Sequence, residues 1–269
     1  MTSVCDIYKY LEDYAPNYLA FERDNVGLIV GRADKKVNKV LLTLDVDENV
    51  ADEAVEKGCD MIISHHPLMF NPIKRLTSES PMQRAIMTLI SNDIPLFSAH
   101  TNLDCVHGGL NDYLAEKLGI VSKSVVEVCG EYKGHEYGFG RVGEIPAELT
   151  LKDMIENVID SLKISGVKYV GELNKKVKKI VVNCGGGADE MNWCINNNVD
   201  LFITGDVKYN PARDAYENGM YVIDAGHFET EYIVKELFEK ILSEKFSDVE
   251  FIKSEENKAV FNYYCKDND

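Results

Sequence analysis

Apolar runs of strand length alternate along this chain with amphipathic stretches of helix length, the pattern of an α/β fold with a largely parallel sheet. Val4, Ile7, Tyr8 and Leu11 recur at helical spacing until Pro16 ends the first helix. Lys39 to Asp45 reads as a strand, Glu48 to Glu56 as a helix stopped at Gly58, and Asp60 to Ser64 as the next strand. Ser80 and Pro81 supply an N-cap and first turn for a helix through Leu89, and Ile94 to Ala99 is again a strand. Further on, Thr150 with Asp153 forms a capping box for a helix through Leu162. Strands are expected at Lys179 to Cys184, Asp200 to Thr204 and Met220 to Ala225, before a last helix carrying Ile233, Leu237, Phe238 and Ile241. No low-complexity segment or long linker divides the chain. Two intimately packed α/β lobes are therefore expected, approximately residues 1–127 and 128–269, with the C-terminal helix able to pack on the first lobe.

The two halves resemble one another. Val40-Leu-Leu-Thr through Asp60-Met-Ile-Ile-Ser64 aligns without gaps on Ile180-Val-Val-Asn through Asp200-Leu-Phe-Ile-Thr204, at a constant offset of 140. At an offset of 127, Ala99-His100-x-x-x-Asp104 falls on Gly226-His227-x-x-x-Glu231, each after an apolar strand. These periods exceed those of solenoid repeats, so the pattern reads as duplication of a whole α/β unit.

Composition narrows the function classes. The 269 residues, 45% of them hydrophobic, suffice for one large or two small packed domains. With 29 Lys and Arg against 45 Asp and Glu, the net charge is −16, which disfavours phosphate backbones and anionic membranes as partners. The densest basic group, Lys175 to Lys179, is short and reads as a solvated turn and strand edge. The seven cysteines (Cys5, Cys59, Cys105, Cys129, Cys184, Cys194, Cys265) contain no C-x-x-C pair, and the chain start lacks a basic-then-apolar leader. A reduced, cytoplasmic protein without thiolate zinc is expected. No apolar run approaches the roughly 18–20 residues that cross a bilayer.

Four of the six histidines directly follow expected strands: His65 and His66, His100, and His227. In parallel α/β sheets the carboxyl ends of strands line one edge, where ligands bind, so distant residues can converge there. Imidazoles and carboxylates without thiolates suit a hydrolytic centre of Zn, Mn, Fe, Co or Ni. Pro67 ends the strand after His65-His66, which allows both rings to face one cavity, either as ligands for neighbouring metals or as ordinary hydrogen-bonding residues. His227 and Glu231 share a face if the turn after Ala225 begins the final helix, and Asp104 supplies a second carboxylate. Cys184-Gly-Gly-Gly187 either cradles a phosphate on its amides, Gly185 and Gly186 among them, or is a tight turn relieved by glycine. Lys208 and Tyr209 are candidate substrate-facing groups. His107 and His135 are expected to make surface or loop contacts.

In Ser64-His-His-Pro67, Ser98-Ala-His-Thr-Asn-Leu-Asp104, Gly108-Gly-Leu-Asn-Asp112, Thr204-Gly-Asp-Val-Lys-Tyr209 and Gly226-His-Phe-Glu-Thr-Glu231 the chain resembles the Nif-three-like dinuclear-metal family, the GTP cyclohydrolase I type 2 homologues. Asp24-Asn-Val-Gly27, Gly138-Phe-Gly-Arg-Val-Gly143 and Cys184-Gly-Gly-Gly187 match as well, so the resemblance covers nearly the whole chain, in the short form without an inserted domain. It implies two divalent metal ions per chain in a site between two α/β lobes. The ligands it implies are His65, His66, Asp104, His227 and Glu231, with a bridging carboxylate, in a toroidal homohexamer. Arg23, Ile29 and Asn210 depart from the usual Trp, Gln and His, and the last bears on a supplementary polar contact near the site.

Two cations only half neutralised by such ligands would acidify water towards a pKa of ~7. The resemblance then implies a GTP cyclohydrolase-like hydrolase that opens the guanine ring and releases formate, with His100 as base or proton shuttle. A metal-dependent phosphoesterase and a non-catalytic metal-binding or regulatory interaction protein stay open as alternatives. A small molecule, with a nucleotide as a candidate, is the expected partner.

Overall fold

Leu41, Leu42, Ile62 and Ile63 have no exposed surface, and neither do Val181, Val182, Phe202 and Ile203. Strands covered on both faces in this way read as continuous apolar runs, and they form the centres of two separate sheets. The computed structural model describes residues 1–262; Cys265 lies outside the described residues. In chain order the elements begin with α1 (Val4–Tyr14), β1 (Gly27–Val30), β2 (Lys39–Thr43), α2 (Glu48–Glu56), β3 (Met61–Ser64), α3 (Pro81–Ser91), β4 (Leu96–Ser98), α4 (Thr101–Cys105) and α5 (Leu110–Lys117). There follow β5 (Val121–Tyr132), β6 (His135–Thr150), α6 (Leu151–Leu162), β7 (Lys168–Val170), β8 (Lys176–Val182), α7 (Met191–Asn196) and β9 (Leu201–Thr204). The chain continues with α8 (Tyr209–Glu217), β10 (Tyr221–Asp224), α9 (His227–Glu231), α10 (Val234–Ser243) and β11 (Glu250–Lys253).

The first unit holds Met1–Leu110, Glu131–Tyr137 and Tyr232–Asn257. Its sheet has the order β1-β4-β3-β2-β11, parallel except for β1. Val50, Ala51 and Ala54 of α2 and Ala85, Ile86 and Leu89 of α3 pack on Leu41, Ile62 and Leu96. Burial of each large aliphatic side chain there contributes about 1.5–3 kcal/mol. Both helices start on side-chain caps that satisfy otherwise unbonded amides: Asp47 accepts from Val50 N, and Ser80 from Gln83 N with Pro81 in the first turn.

The second unit holds Asn111–Gly130 and Gly138–Glu231, with described residues from 258 onward. Its sheet runs β5-β6-β8-β9-β10-β7. Only β8, β9 and β10 are mutually parallel, while β6 and β7 pair antiparallel to their neighbours. The sequence pattern pointed to a more uniformly parallel arrangement. The difference lies in Val121–Thr150: β5 is largely exposed, and the buried stretch of β6 is Gly138-Phe-Gly-Arg141, so neither carries an apolar run. There a hairpin turns on Lys133 and Gly134, both with positive φ (51° and 79°), the geometry of a tight two-residue turn. Val181, Phe202 and Val222 form the core of this unit with Met191, Cys194 and Ala215.

The duplication is visible in strand register. Val40 pairs with Met61 and Leu41 with Ile62, while Ile180 pairs with Leu201 and Val181 with Phe202, each partner displaced by 140 positions. The turn chemistry repeats too: Asp60 Oδ2 accepts from Asn38 N and Lys39 N, and Asp200 Oδ2 accepts from Lys178 N and Lys179 N. The following strand differs by one residue from the sequence alignment. Ser64 pairs with Ser98 and Thr204 with Asp224, an offset of 126 and not 127. The short helices agree, α4 starting at Thr101 and α9 at His227. His100 therefore precedes its helix, whereas His227 opens its own. The two motifs are alike in sequence but do not occupy equivalent backbone positions.

Candidate metal centre

In the first unit three imidazoles gather at the carboxyl ends of β3 and β4. The ring centroids of His65 and His66 are 5.2 Å apart, and that of His100 lies 5.2 Å and 5.3 Å from them. Although β3 ends at Ser64, the amides of His65 and His66 still donate to Thr43 O and Leu44 O, while Ser64 Oγ donates to the His66 carbonyl. This local closure, followed by Pro67, brings two consecutive side chains to one side. One nitrogen from each of the three rings falls within 4.8 Å of the others, a spacing that suits a metal ion. Asp104, on α4, brings Oδ1 to 3.6 Å from His65 Nε2.

In the second unit His227 and Glu231 bracket the single turn of α9, with Nε2 and Oε2 3.1 Å apart. The carboxylates of Glu231 and Asp206 outweigh burial and hold the His227 imidazole up at about 9. This helix ends at Glu231 and α10 begins at Val234, so the pair does not sit on the final long helix.

Every one of these four histidines has an oxygen acceptor at Nδ1. His65 faces Ala99 O at 2.8 Å, His66 faces Asp45 Oδ1 at 2.7 Å, His100 faces Asp24 at 2.9–3.0 Å, and His227 faces Asp206 Oδ2 at 2.8 Å. A carbonyl or ionised carboxylate can only accept, so Nδ1 carries a proton in all four and Nε2 is left as the coordinating atom; on His227, which Glu231 and Asp206 hold protonated, a cation would displace the Nε2 proton. Protein metal sites fix their imidazoles by this outer hydrogen bond. The donor set thus fits a divalent cation in residue type and in the ring nitrogen left for coordination. Burial alone would raise Asp24, but hydrogen bonds from His100 and Thr101 overcome it and hold the carboxyl down at about 2.

Sequence reasoning missed Asp45 and Asp206, but a signal for them exists. Each lies 21 residues before its histidine, just beyond the neighbouring parallel strand. At the offset of 140, Asp206 also falls on His66 and Gly205 on His65. Where the first half places two imidazoles, the second half places an orienting carboxylate and a glycine.

The glycine loop has a different role from a phosphate cradle. The amides of Cys184, Gly185 and Gly187 already donate to Asn111 Oδ1, Thr230 Oγ1 and Thr204 Oγ1. The loop leads into a single 3-10 turn at Ala188–Glu190 and only then into the six-residue α7. Gly185 instead makes room: at φ +64° a Cβ there would overlap Glu231 Oε1 and come within 3.2 Å of His227 Nε2. Asn111 reaches the loop directly, and Arg141 Nε donates to Asp112 Oδ2 at 2.9 Å, so family-like motifs far apart in sequence brace this turn. Lys208 caps α8 and Tyr209 is 73% exposed, its hydroxyl accepting from Arg213. His107 and His135, read as surface residues, are exposed and stack face to face at 4.0 Å. Among the described residues no helix is long and apolar enough to cross a membrane.

A two-sheet α/β protein with histidine and carboxylate groups at strand ends has known relatives. The family model Duf34/NIF3 (NGG1p interacting factor 3) matches residues 2–259, and the chain belongs to that family. The protein named GTP cyclohydrolase 1 type 2 homolog in Clostridium perfringens is 41% identical, over 96% of this chain and 98% of its own. Among solved structures, a Bacillus cereus protein related to NIF3 superposes with a TM-score of 0.91 at 27% identity, covering 98% of this chain and all of the other. A Staphylococcus aureus hypothetical protein gives 0.89 at 30% identity, covering 97% and 99%.

Proposed function

We propose that the chain is a metal-dependent hydrolase in which His65, His66, Asp104, His227 and Glu231 hold two divalent cations. The observation that carries this reading is the common anchoring: each histidine of the candidate set is tied at Nδ1, which leaves Nε2 for coordination. Bound cations of the Zn, Fe, Mn, Co or Ni type would supply the Lewis-acid charge that lets water act as a nucleophile near neutral pH.

The chain's own residues carry the proton traffic. His100 Nδ1–H is anchored on Asp24, so its Nε2 takes a proton from water and the carboxylate stabilises the resulting imidazolium. The relatives' name points to GTP as the substrate. Addition of one water at C8 opens the five-membered ring of guanine to a formamide, and a second water releases formate. Lys208 and Tyr209, exposed at the start of α8, are proposed to meet the substrate; the amides of Gly185 and Gly187 already donate to threonine hydroxyls, which leaves Gly186 as the glycine amide proposed to take part. We further propose a homohexamer.

Elemental analysis of purified protein is expected to give about two metals per chain, and formate release from GTP is expected to vanish in His65→Ala. Fewer than one metal per chain would overturn the metal reading. Phosphate release without formate would make the protein a phosphoesterase. Full metal loading with no turnover of GTP or a phosphoester panel would make it a metal-binding or regulatory protein.

A further inference from the structure

The turn that follows β11 is a polar connector between a buried carboxylate and His66. Glu53 of α2, 4% exposed, accepts from Ser254 Oγ at 2.5 Å, Glu255 N at 2.8 Å and Lys57 Nζ at 2.8 Å. Ser254 is anchored twice more, its amide donating to Leu42 O and its carbonyl accepting from Lys235 Nζ at 3.0 Å. Ser254 Oγ in turn accepts from Asn257 N at 3.1 Å. Asn257 is 5% exposed, so its amide group is held with little freedom.

That amide reads both sides of Asp45. Its Oδ1 accepts from Leu44 N at 3.0 Å and Asp45 N at 3.3 Å, and its Nδ2 donates to Asp45 Oδ2 at 3.2 Å. The other oxygen of Asp45, Oδ1, accepts from His66 Nδ1 at 2.7 Å. The Asp45 side chain is 46% exposed, and the Asn257 Nδ2 donor holds the carboxylate oxygen that His66 does not use. His65 and His100 draw their acceptors from elsewhere, Ala99 O and Asp24.

We infer that Asn257, held by the 254–257 turn, is a positioning residue for His66: it fixes the Asp45 rotamer and so fixes which ring nitrogen of His66 is presented for coordination. The inference concerns one arm of the proposed metal site and rests on that reading for its consequence, though not for the hydrogen bonds themselves. It makes the state of a histidine near the start of the chain depend on a turn near its end.

The test uses Asn257→Asp in the full chain. This change keeps an acceptor for the amides of Leu44 and Asp45 but replaces the donor to Asp45 with a like charge. Nitrogen-15 spectra of the histidine rings in metal-free protein at pH 8 are expected to show His66 as the Nδ1–H tautomer in the wild type and as a mixture in the variant. His65 and His100 should be unchanged in both. Cobalt titration is expected to show one site weakened by about tenfold. Ser254→Ala, which loosens Asn257 from one step away, is expected to act in the same direction and serves if Asn257→Asp does not fold. A His66 tautomer that stays single in both variants overturns the inference, as does unchanged cobalt affinity. If the wild type binds no cobalt while the tautomer responds, the metal reading fails and the positioning role stands.

Discussion

A histidine can offer only one nitrogen at a time, and here the protein makes that choice with neighbours that are mostly remote in sequence. Asp24 lies 76 residues from His100, and Asp45 and Asp206 each lie 21 residues before their partners. The histidines themselves were legible because they follow apolar strands; the acceptors were not, because a lone Asp beyond a strand is common until the strand order shows which histidine it faces. Glycines allow the same distinction to be tested by substitution. Gly58 and Gly185 share φ +64°, but a Cβ at Gly58 meets nothing, whereas one at Gly185 displaces Glu231. Gly58→Ala is expected to cost about 1 kcal/mol in urea unfolding, from backbone strain alone. Gly185→Ala should cost more and also lower metal occupancy. Equal losses with full occupancy for both would remove the spacing role of Gly185. Glu190 provides a pH-dependent case. It is 8% exposed, Oε2 has no hydrogen-bond partner among the described residues, and burial pushes its pKa above the ordinary 4.5. A carboxyl raised in the folded state favours folding at low pH and loses that contribution as pH climbs past its unfolded value. Glu190→Gln is therefore expected to raise the melting temperature at pH 7.5 and to match the wild type near pH 4.

At the scale of elements, the duplicated strand pair is built on the same device twice. Asp60 and Asp200 each gather two amides of the preceding strand onto one carboxylate oxygen. Asp60→Ala and Asp200→Ala are each expected to lower unfolding free energy by about 1–2 kcal/mol, measured by denaturant titration. The helices α1, α2, α3 and α6 and the central strands could be read from spacing and caps, Thr150 with Asp153 forming the expected box. The strands that could not be read fall into two kinds. The β5 and β6 hairpin turns on Lys-Gly, a weaker signal than Asn-Gly or Asp-Gly, and β5 is largely exposed. The edge strands β1, β7 and β11 have three or four residues each and acquire strand character from their neighbours.

For the molecule as a whole, the charge of −16 sets what metal loading can change. Two divalent cations would bring it to −12, from −16 plus 4, so the exterior stays acidic and the positive field is confined to the ligand groups. Stripping metal with a chelator is expected to lower the melting temperature and re-addition to restore it. Cation at 100 times its Kd contributes about 2.7 kcal/mol by linkage. Light scattering is expected to give about six times the 30.3 kDa chain mass for the proposed hexamer. The unit built from Met1–Leu110 and Tyr232–Asn257 carries a consequence for biosynthesis. Its edge strand β11 pairs with β2 across roughly 210 residues of chain. On the ribosome, β2 must wait with an unpaired edge while the whole intervening unit is made, so the segment translated first is completed last. Throughout that interval the β2 edge is open to strand pairing with another nascent chain.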